Sequence, residues 1–302
     1  MTLTTAQLDR ACGVLLGTAA GDALGAAYEF GPPRGPELEV AMVGGGAFGW
    51  EPGEWTDDTS MAIAIAEVAA TGADLLDEEA LDDIARRWHE WSQHAKDVGV
   101  QTRSVLSRAG RHGISAQAAR EESAALHQRS GRTAGNGSLM RTAPVALVYL
   151  DDEAALVEAA RGVSELTHYD PEAGDACVLW CLAIRHAILT GLLDARIGLQ
   201  HIDSARRDLW ATRLMSQRHL SLQISGTTAG LLRPCRAHGR PSRQLLSRRM
   251  TRLKASSAPI TCAWLSTRQF GEAGTPTPSP PSRADCLALP TVRRRCLRSG
   301  VG

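Results

Sequence analysis

The chain of 302 residues opens with apolar positions at helical spacing: Leu8, Ala11, Cys12, Leu15 and Leu16 share a face, and small residues carry the segment on through Gly21 and Gly25. This predicts a helix over residues 6–30, in which the small residues allow a close helix neighbour or leave room for a ligand. The next stretch, "GPPRGPELEVAMVGGGAFGWEPGEW", is punctuated by Gly and Pro and predicts a loop too long for a mere connector. "TDDTSMAIAIAEVAATG" then reads as a helix with a polar cap, an acidic first turn and an apolar face that stops near Gly72. "DEEALDDIARRWHEWSQHA" predicts a second amphipathic helix. "MRTAPVALVYL", "DEAALVEAARGVSELTH" and "EAGDACVLWCLAIRHAILTG" are helical by period and composition. Strand signals are sparse and no internal repeat is visible, so the expected fold class is all-α.

The helical pattern stops near Leu214, and charge and composition change with it. Residues 215–302 hold 15 Lys and Arg against only Glu272 and Asp285, together with eight of the 14 prolines. The preceding residues hold 18 basic and 31 acidic side chains, so a formal net charge of zero conceals an acidic front and a basic tail. Such asymmetry ordinarily points to a tail that binds nucleic acid or an acidic membrane. Aromatic residues are only 4% of the chain, which leaves Ala, Leu, Val and Ile to build most of the core.

No apolar run is read as approaching the ~20 residues that span a bilayer. "MTLTTAQLDR" lacks the basic start and apolar stretch of a secretion signal. The expectation is a soluble, cytoplasmic protein with no membrane partner. The seven cysteines form no CxxC pair and imply neither a disulfide framework nor a zinc site. Cys177 and Cys181, four apart on a helical pattern, read as small core residues.

Candidate chemistry gathers in short segments. In "EWTDDTSM", Thr56, Asp57, Asp58 and Thr59 put hydroxyl and carboxylate oxygens on consecutive residues where a loop enters a helix. Hard cations such as Mg²⁺ take oxygen ligands of this kind. The same residues are also good helix caps, and acidic side chains suit the positive end of a helix dipole. "GDALGAAYE" adds Asp22 and Glu29, which could cap, pair or face a pocket. In "GNGSLMRTAP", Asn136, Gly137 and Ser138 precede a helical run, so free backbone N–H groups there could meet a phosphate or ribose, with Arg141 adding charge. A plain turn with an N-cap fits as well. "ELTHYDPEAGDA" places His168 just before Pro171 and a new helix.

Taken together and in order, "GDALGAAYEF", "WTDDTSM", "GNGSLMR" and "THYDPEA" resemble the ADP-ribosylglycohydrolase family over about residues 8–214. The resemblance implies an all-α fold with two divalent cations, Mg²⁺ or Mn²⁺, in a central cleft. It implies hydrolysis of the glycosidic bond joining ADP-ribose to a protein side chain or small molecule. It makes Thr56, Asp57 and Asp58 ligands of one metal and places Glu29 near the reacting ribose. Asn136, Gly137 and Ser138 become contacts to the diphosphate and ribose, and His168 a ribose contact. Glu29, Asp57 and Asp58 are then the catalytic carboxylates, with Arg141 on the substrate side. The family also carries a late "GxDTD"-like motif that completes both metal shells, and no such string occurs in residues 215–302.

The genetic code offers a reason. "TPTPSPPS", read one base earlier, becomes NAC NCC NAC NCC NTC NCC NCC NTC, which permits D-T-D-T-V-A-A-I. Continued through "RADCLALPTV", the same frame permits A-G-G-L-L-G-A-A-Y-G, an apolar helix. Upstream, "ISGTTAGLLRPCRAHG" permits "DFRNNGWVVEALQGAW" in that frame. The expectation is a helical domain over 1–214, followed by a frameshifted, basic, Pro-rich, non-native tail over 215–302. The tail's basic charge is then a by-product of the shifted frame and no nucleic-acid arm. Hydrolysis should be impaired in this chain. The alternatives are a non-catalytic ADP-ribose or nucleotide binder and an inactive product of a damaged gene.

Overall fold

A computed structural model describes residues 2–30 and 40–223. Most of the long loop's first part and nearly all of the basic tail, including the shifted-frame segments, lie outside the described residues. Those described form helices and turns and contain no strand; a single antiparallel bridge joins Gly45 and Trp50. The all-α expectation holds for them.

Helix α1 runs Thr5–Gly25 and passes into a 3-10 turn at Ala26–Tyr28. A capping box opens it: the Gln7 amide donates to Thr4 Oγ1 and the Thr4 amide to Gln7 Oε1. Helix α2 spans Asp57–Ala70 and ends before Gly72, whose φ of 86° ends the helical path. Helix α3 is Glu78–Ser92, α4 is Val100–Ala109 and α5 is Ala116–Ser130, the last capped by Ser115. "MRTAPVALVYL" departs from expectation: it forms turns and one four-residue helix, α6, Val145–Val148. Pro144, without an N–H and intolerant of a preceding helical turn, breaks the run. Helix α7 covers Glu153–Glu165 and α8 covers Pro171–Thr190, which begins with Asp170 as cap and Pro171 in the first turn. A 3-10 segment, Ala195–His201, leads to α9, Ser204–Gln223.

The core sits where α8 packs on α7 and α1, and where α2, α3 and α6 close over it. Trp88, Met61, Ile65, Ile84 and Leu182 are fully buried, and alanines fill the close helix contacts, as the low aromatic content demands. Cys177 and Cys181 are fully buried on α8, as small core residues should be.

Two helices meet the length and composition of a membrane span, contrary to the sequence expectation. They are Thr5–Tyr28 and Pro171–Thr190, with mean hydropathies of 1.2 and 1.3. Ala and Gly dilute polar residues there without forming the Leu-rich run that catches the eye. For the second, 61% of the apolar window is buried inside the fold, which is the signature of a core helix. For α1 the figure is only 17%, so much of its apolar surface is uncovered by the described residues.

Candidate active site

The site begins with a cap supplied from a distance. Thr56, the residue before α2, makes no side-chain cap bond to its own helix. Asp22, on α1, takes that role. Its carboxylate accepts from the Thr56 amide at 3.0 Å and the Thr56 hydroxyl at 2.7 Å. It also accepts from the Thr59 amide at 3.0 Å and the Thr59 hydroxyl at 2.6 Å. A negative group at the positive end of α2 is favourable, and four donors fix its position. Asp57 and Asp58, in the first turn, are thereby aimed by α1 as much as by their own helix.

The carboxylates around this start repel one another. Burial first, and then Asp22, Asp57 and Glu29, push Asp58 up to about 7. Asp57 is raised by burial and by Asp97, against the lowering pull of its own backbone amide and Thr56. Glu29 is exposed over much of its length, yet its carboxyl is raised by partial burial and by Asp57, Asp97 and Asp22. Asp97, on the segment between α3 and α4, is also raised by desolvation, with Arg103 pulling the other way. Five acidic side chains thus share the cleft, with Arg103 acting on Asp97 and the buried Arg141 on Asp57.

This donor set suits a hard divalent cation: carboxylates plus the Thr56 hydroxyl, whose proton is directed to Asp22, leaving oxygen lone pairs for an ion. Convergence is incomplete. Among the described residues no three His, Cys, Asp or Glu side chains close on one point as a metal-binding group. The acids lie close enough to raise one another's proton affinity but are not gathered into a cage. Mg²⁺ tolerates this, because it keeps several waters and needs only one or two protein carboxylates.

A second constellation lies at the 135–138 loop. His168 is buried beneath it: a Cβ added to Gly137 would come within 2.9 Å of His168 Cε1 and 3.0 Å of Nε2. Burial, and then Arg141, hold the imidazole down at about 3, so it is neutral. Thr167 Oγ1 lies 2.8 Å from His168 Nδ1 and accepts from Arg141 Nη2 at 2.7 Å. Arginine can only donate, so the threonine proton is free for Nδ1, and the imidazole proton is left on Nε2, toward the loop. Asn136 is exposed, while Ser138 is buried against Cys177, whose thiol donates to it at 3.5 Å.

Two sequence expectations need correction here. No helix of useful length begins after Ser138, since residues 137–141 are turns, so the loop gains nothing from a helix dipole. Arg141 does not reach the surface. Its guanidinium is fully buried 3.9 Å from the Trp88 ring centroid, bonded to Thr167, Val163 and Met61 Sδ. The fold therefore brings Thr56, Asp57, Asp58 and Glu29 together at one place and Asn136, Gly137, Ser138 and His168 at another, with Arg141 behind the histidine. Sequence reading left Asp22 undecided and missed Asp97 and the tryptophans Trp50, Trp55 and Trp91, which line a cavity beside Asp57. Asp22 carried a signal, an acidic residue in a Gly/Ala helix. Asp97, in "HAKDVG", carried none.

An acidic, oxygen-rich cleft at a helix start, with a glycine loop over a neutral histidine, makes this a helical domain suited to a hard cation and a polar ligand. The chain belongs to the ADP-ribosylglycohydrolase family, whose model matches residues 3–273. It is 37% identical over 196 residues to ADP-ribosylarginine hydrolase Tri1 of Pseudomonas putida (strain GB-1), covering 63% of this chain and 50% of that protein. It is 33% identical over 187 residues to the ADP-ribosyl-[dinitrogen reductase] glycohydrolase of Rhodospirillum rubrum, covering 60% of this chain and 58% of that one. A solved structure described as an ADP-ribosylglycohydrolase-related protein complex aligns with a TM-score of 0.47 at 33% identity, over 62% of this chain and 58% of that chain. The chain spans about half the length of the curated relatives it matches.

Proposed function

We propose that the described domain is built for metal-dependent hydrolysis of an ADP-ribosyl glycosidic bond, on an ADP-ribosylated protein or a small-molecule conjugate. The observation that carries this reading is the Asp22-anchored start of α2, which holds Thr56, Asp57 and Asp58 in a cleft of mutually repelling carboxylates. Thr56, Asp57 and Asp58 would hold Mg²⁺ or Mn²⁺; bound there, the ion would position and activate water and neutralise the cleft. Asp58 retains a proton near neutrality in the metal-free chain, so a group able to exchange one lies at the same place. Glu29 extends the carboxylate set toward the 3-10 turn. Asn136, Gly137, Ser138 and His168 form the polar ledge for the ADP-ribose part. Arg141 acts through Thr167 to keep the His168 proton facing that ledge.

The reading includes an impaired site. A groove of about 520 Å³, lined by Gly17, Gly21, Asp58, Leu139, Trp180 and Trp210 among others, runs along α1. A Cβ added at Gly13, Gly17, Gly21 or Gly25 would meet nothing within 4 Å. An apolar helix beginning with aspartates, of the kind the shifted frame permits, would cover this face and bring further carboxylates toward Asp58. A chain that instead continues as residues 215–302 lacks those ligands. The failure of three acids to converge favours a second reading, in which this chain binds ADP-ribose without turnover.

The test compares the 302-residue chain with a version carrying one restored base after the Leu214 codon. Both are incubated with an ADP-ribosylated arginine peptide and Mg²⁺ or Mn²⁺, and released ADP-ribose is measured. Hydrolysis only by the restored chain, abolished by Asp57→Asn, supports the proposal. Equal, Asp57-dependent hydrolysis by both chains would sink the impairment. No hydrolysis by either would sink the enzymatic reading.

A further inference from the structure

The first turn of α4 meets the 135–138 loop. A Cβ added to Gly135 would lie 4.0 Å from Gln101 Oε1, and one added to Gly137 would lie 3.6 Å from Thr102 Oγ1. Gln101 is bonded across the fold in two directions: its Nε2 donates to the Thr133 carbonyl at 3.1 Å and to the Thr167 carbonyl at 2.9 Å. Both acceptors belong to buried residues. Thr133 leads into the loop and Thr167 stands immediately before His168, so one amide holds the two segments that face each other there.

A primary amide has two N–H groups and one carbonyl oxygen. With both N–H groups taken by carbonyls, this amide cannot turn over without setting oxygen against oxygen, so the direction of Oε1 is fixed. Oε1 takes no donor among the described residues and faces Gly135. His168 Nε2 lies 3.5 Å from the same Cβ position, so an acceptor and a donor look onto one opening over a residue without a side chain. Asp170 closes the segments from the other side of the histidine, accepting the Thr133 amide on Oδ2 at 3.3 Å. His168 is thus bracketed. Thr167 before it is held by Gln101 through its carbonyl and by Arg141 through its hydroxyl, and Asp170 after it is held by Thr133.

We propose that Gln101 is a positioning residue for ligand binding at this loop: its doubly donating amide sets the gap between the 135–138 loop and His168, and keeps the imidazole in one orientation. The assignment rests on the reading of that loop as the seat of the ADP-ribose part. The gap has little slack, since a Cβ at Gly137 would already press on the histidine ring at 2.9 Å. Without the amide, two buried carbonyls lose their donor and Thr167 loses one of the bonds that orient it, so its hydroxyl no longer holds His168 Nδ1 at a fixed angle. The loop and the histidine then move apart or together, and the ligand meets a different spacing.

The test uses the full 302-residue chain and two variants, with helix content checked by circular dichroism. Gln101→Met keeps the length and loses the amide; Gln101→Glu keeps the shape and loses both donors at neutral pH. Spectra of ¹⁵N-labelled histidine report the His168 imidazole, whose signal is identified by its loss in His168→Gln, and calorimetry reports ADP-ribose affinity. The expected result is a single Nε2–H form of His168 in the parent chain and a mixture of both tautomers in the variants. ADP-ribose should bind the variants about tenfold more weakly, as the loss of two hydrogen bonds implies. A protonated carboxyl can donate one bond, so the deficit of Gln101→Glu should narrow between pH 7.5 and pH 5 while that of Gln101→Met persists. Gln101→Glu is nearly isosteric, and its pH profile keeps the test open should Gln101→Met fail to fold. An unchanged His168 spectrum in the folded variants would overturn the positioning role, whatever happens to ADP-ribose. A changed spectrum with no ADP-ribose binding by the parent chain would support the hold of Gln101 on His168 and sink the ADP-ribose reading of the loop.

Discussion

Asp22 on α1 accepts both the backbone amide and the hydroxyl of Thr56, thirty-four residues away, at 3.0 and 2.7 Å. One carboxylate therefore joins two helices and sets the first turn of α2, where Asp57 and Asp58 reside. Asp22→Ala would leave four donors at α2 without their acceptor. With about 1–3 kcal/mol lost per unsatisfied buried group, partly recovered by water here, the expected destabilisation is about 2–4 kcal/mol. Asp22→Asn keeps a carbonyl acceptor and should cost less. Urea unfolding of the two variants checks this, and equal midpoints for Asp22→Ala and the parent chain would refute the anchoring role.

Asp58 gives the fold a pH dependence of definite sign. A carboxyl raised from 3.8 to about 7 binds a proton more tightly folded than unfolded. Stability from this group is therefore fully present below about pH 3.8, falls as pH rises toward 7, and is flat above. The expected outcome without metal is a thermal midpoint lower at pH 7.5 than at pH 5. Mg²⁺ or Mn²⁺, which bind the ionised form, should raise the midpoint more at pH 7.5 than at pH 5. In Asp58→Asn both effects should shrink; a metal response that stays the same in this variant excludes Asp58 from the cation site.

The two loop glycines should separate cleanly. A Cβ at Gly137 would press on the His168 ring at 2.9–3.0 Å, whereas one at Gly135 would meet Nε2 at 3.5 Å, an ordinary contact. Gly137→Ala is expected to weaken ADP-ribose binding at least tenfold by displacing the ring or the loop, and Gly135→Ala to change it less than threefold. Titration calorimetry on both variants decides. Similar losses in the two would mean that the loop, and not its contact with His168, is what matters.

Much of this was legible in the sequence because it is local. The starts of α2 and α8 were announced by caps and an N-terminal proline, and Thr56, Asp57 and Asp58 stand side by side in the chain. What was hidden is non-local. Arg141 follows a polar loop and reads as a surface cation, but the fold turns it inward over Trp88, where Thr167 and Val163 accept from Nη2 and Nε is left without a hydrogen-bond partner. Asp97 joins the cleft only through the packing of α3 and α4. The predicted helix after Arg141 failed because composition favoured it while one proline, Pro144, decided the geometry. The small residues of α1 through Gly21 and Gly25 were visible, but that these glycines face open space became apparent only once their neighbours were in place.

Helix α9 depends on one buried acid. Asp175, fully buried on α8, accepts from Arg161 Nη1 at 2.7 Å, Arg206 Nε at 2.6 Å and the Trp210 indole at 3.2 Å. Arg206 and Trp210 belong to α9, so this carboxylate ties that helix to the core. Burial alone would raise Asp175, but the hydrogen bonds from Arg206 and Arg161 prevail and hold it below its usual range. A depressed carboxyl stabilises the fold above about pH 3.8 and loses that contribution as pH falls further, so α9 should detach in acid. Asp175→Ala removes the acceptor of two guanidinium groups that remain partly open to solvent, so the expected loss is about 1–3 kcal/mol. Trp210 and Leu214 also line the groove shared with Asp58, so release of α9 should reach the cation cleft. Hydrogen exchange would then show lost protection across 204–214 in Asp175→Ala, together with weaker metal stabilisation. Protection lost in α9 with metal response intact would mean that the groove and the cleft are energetically separate.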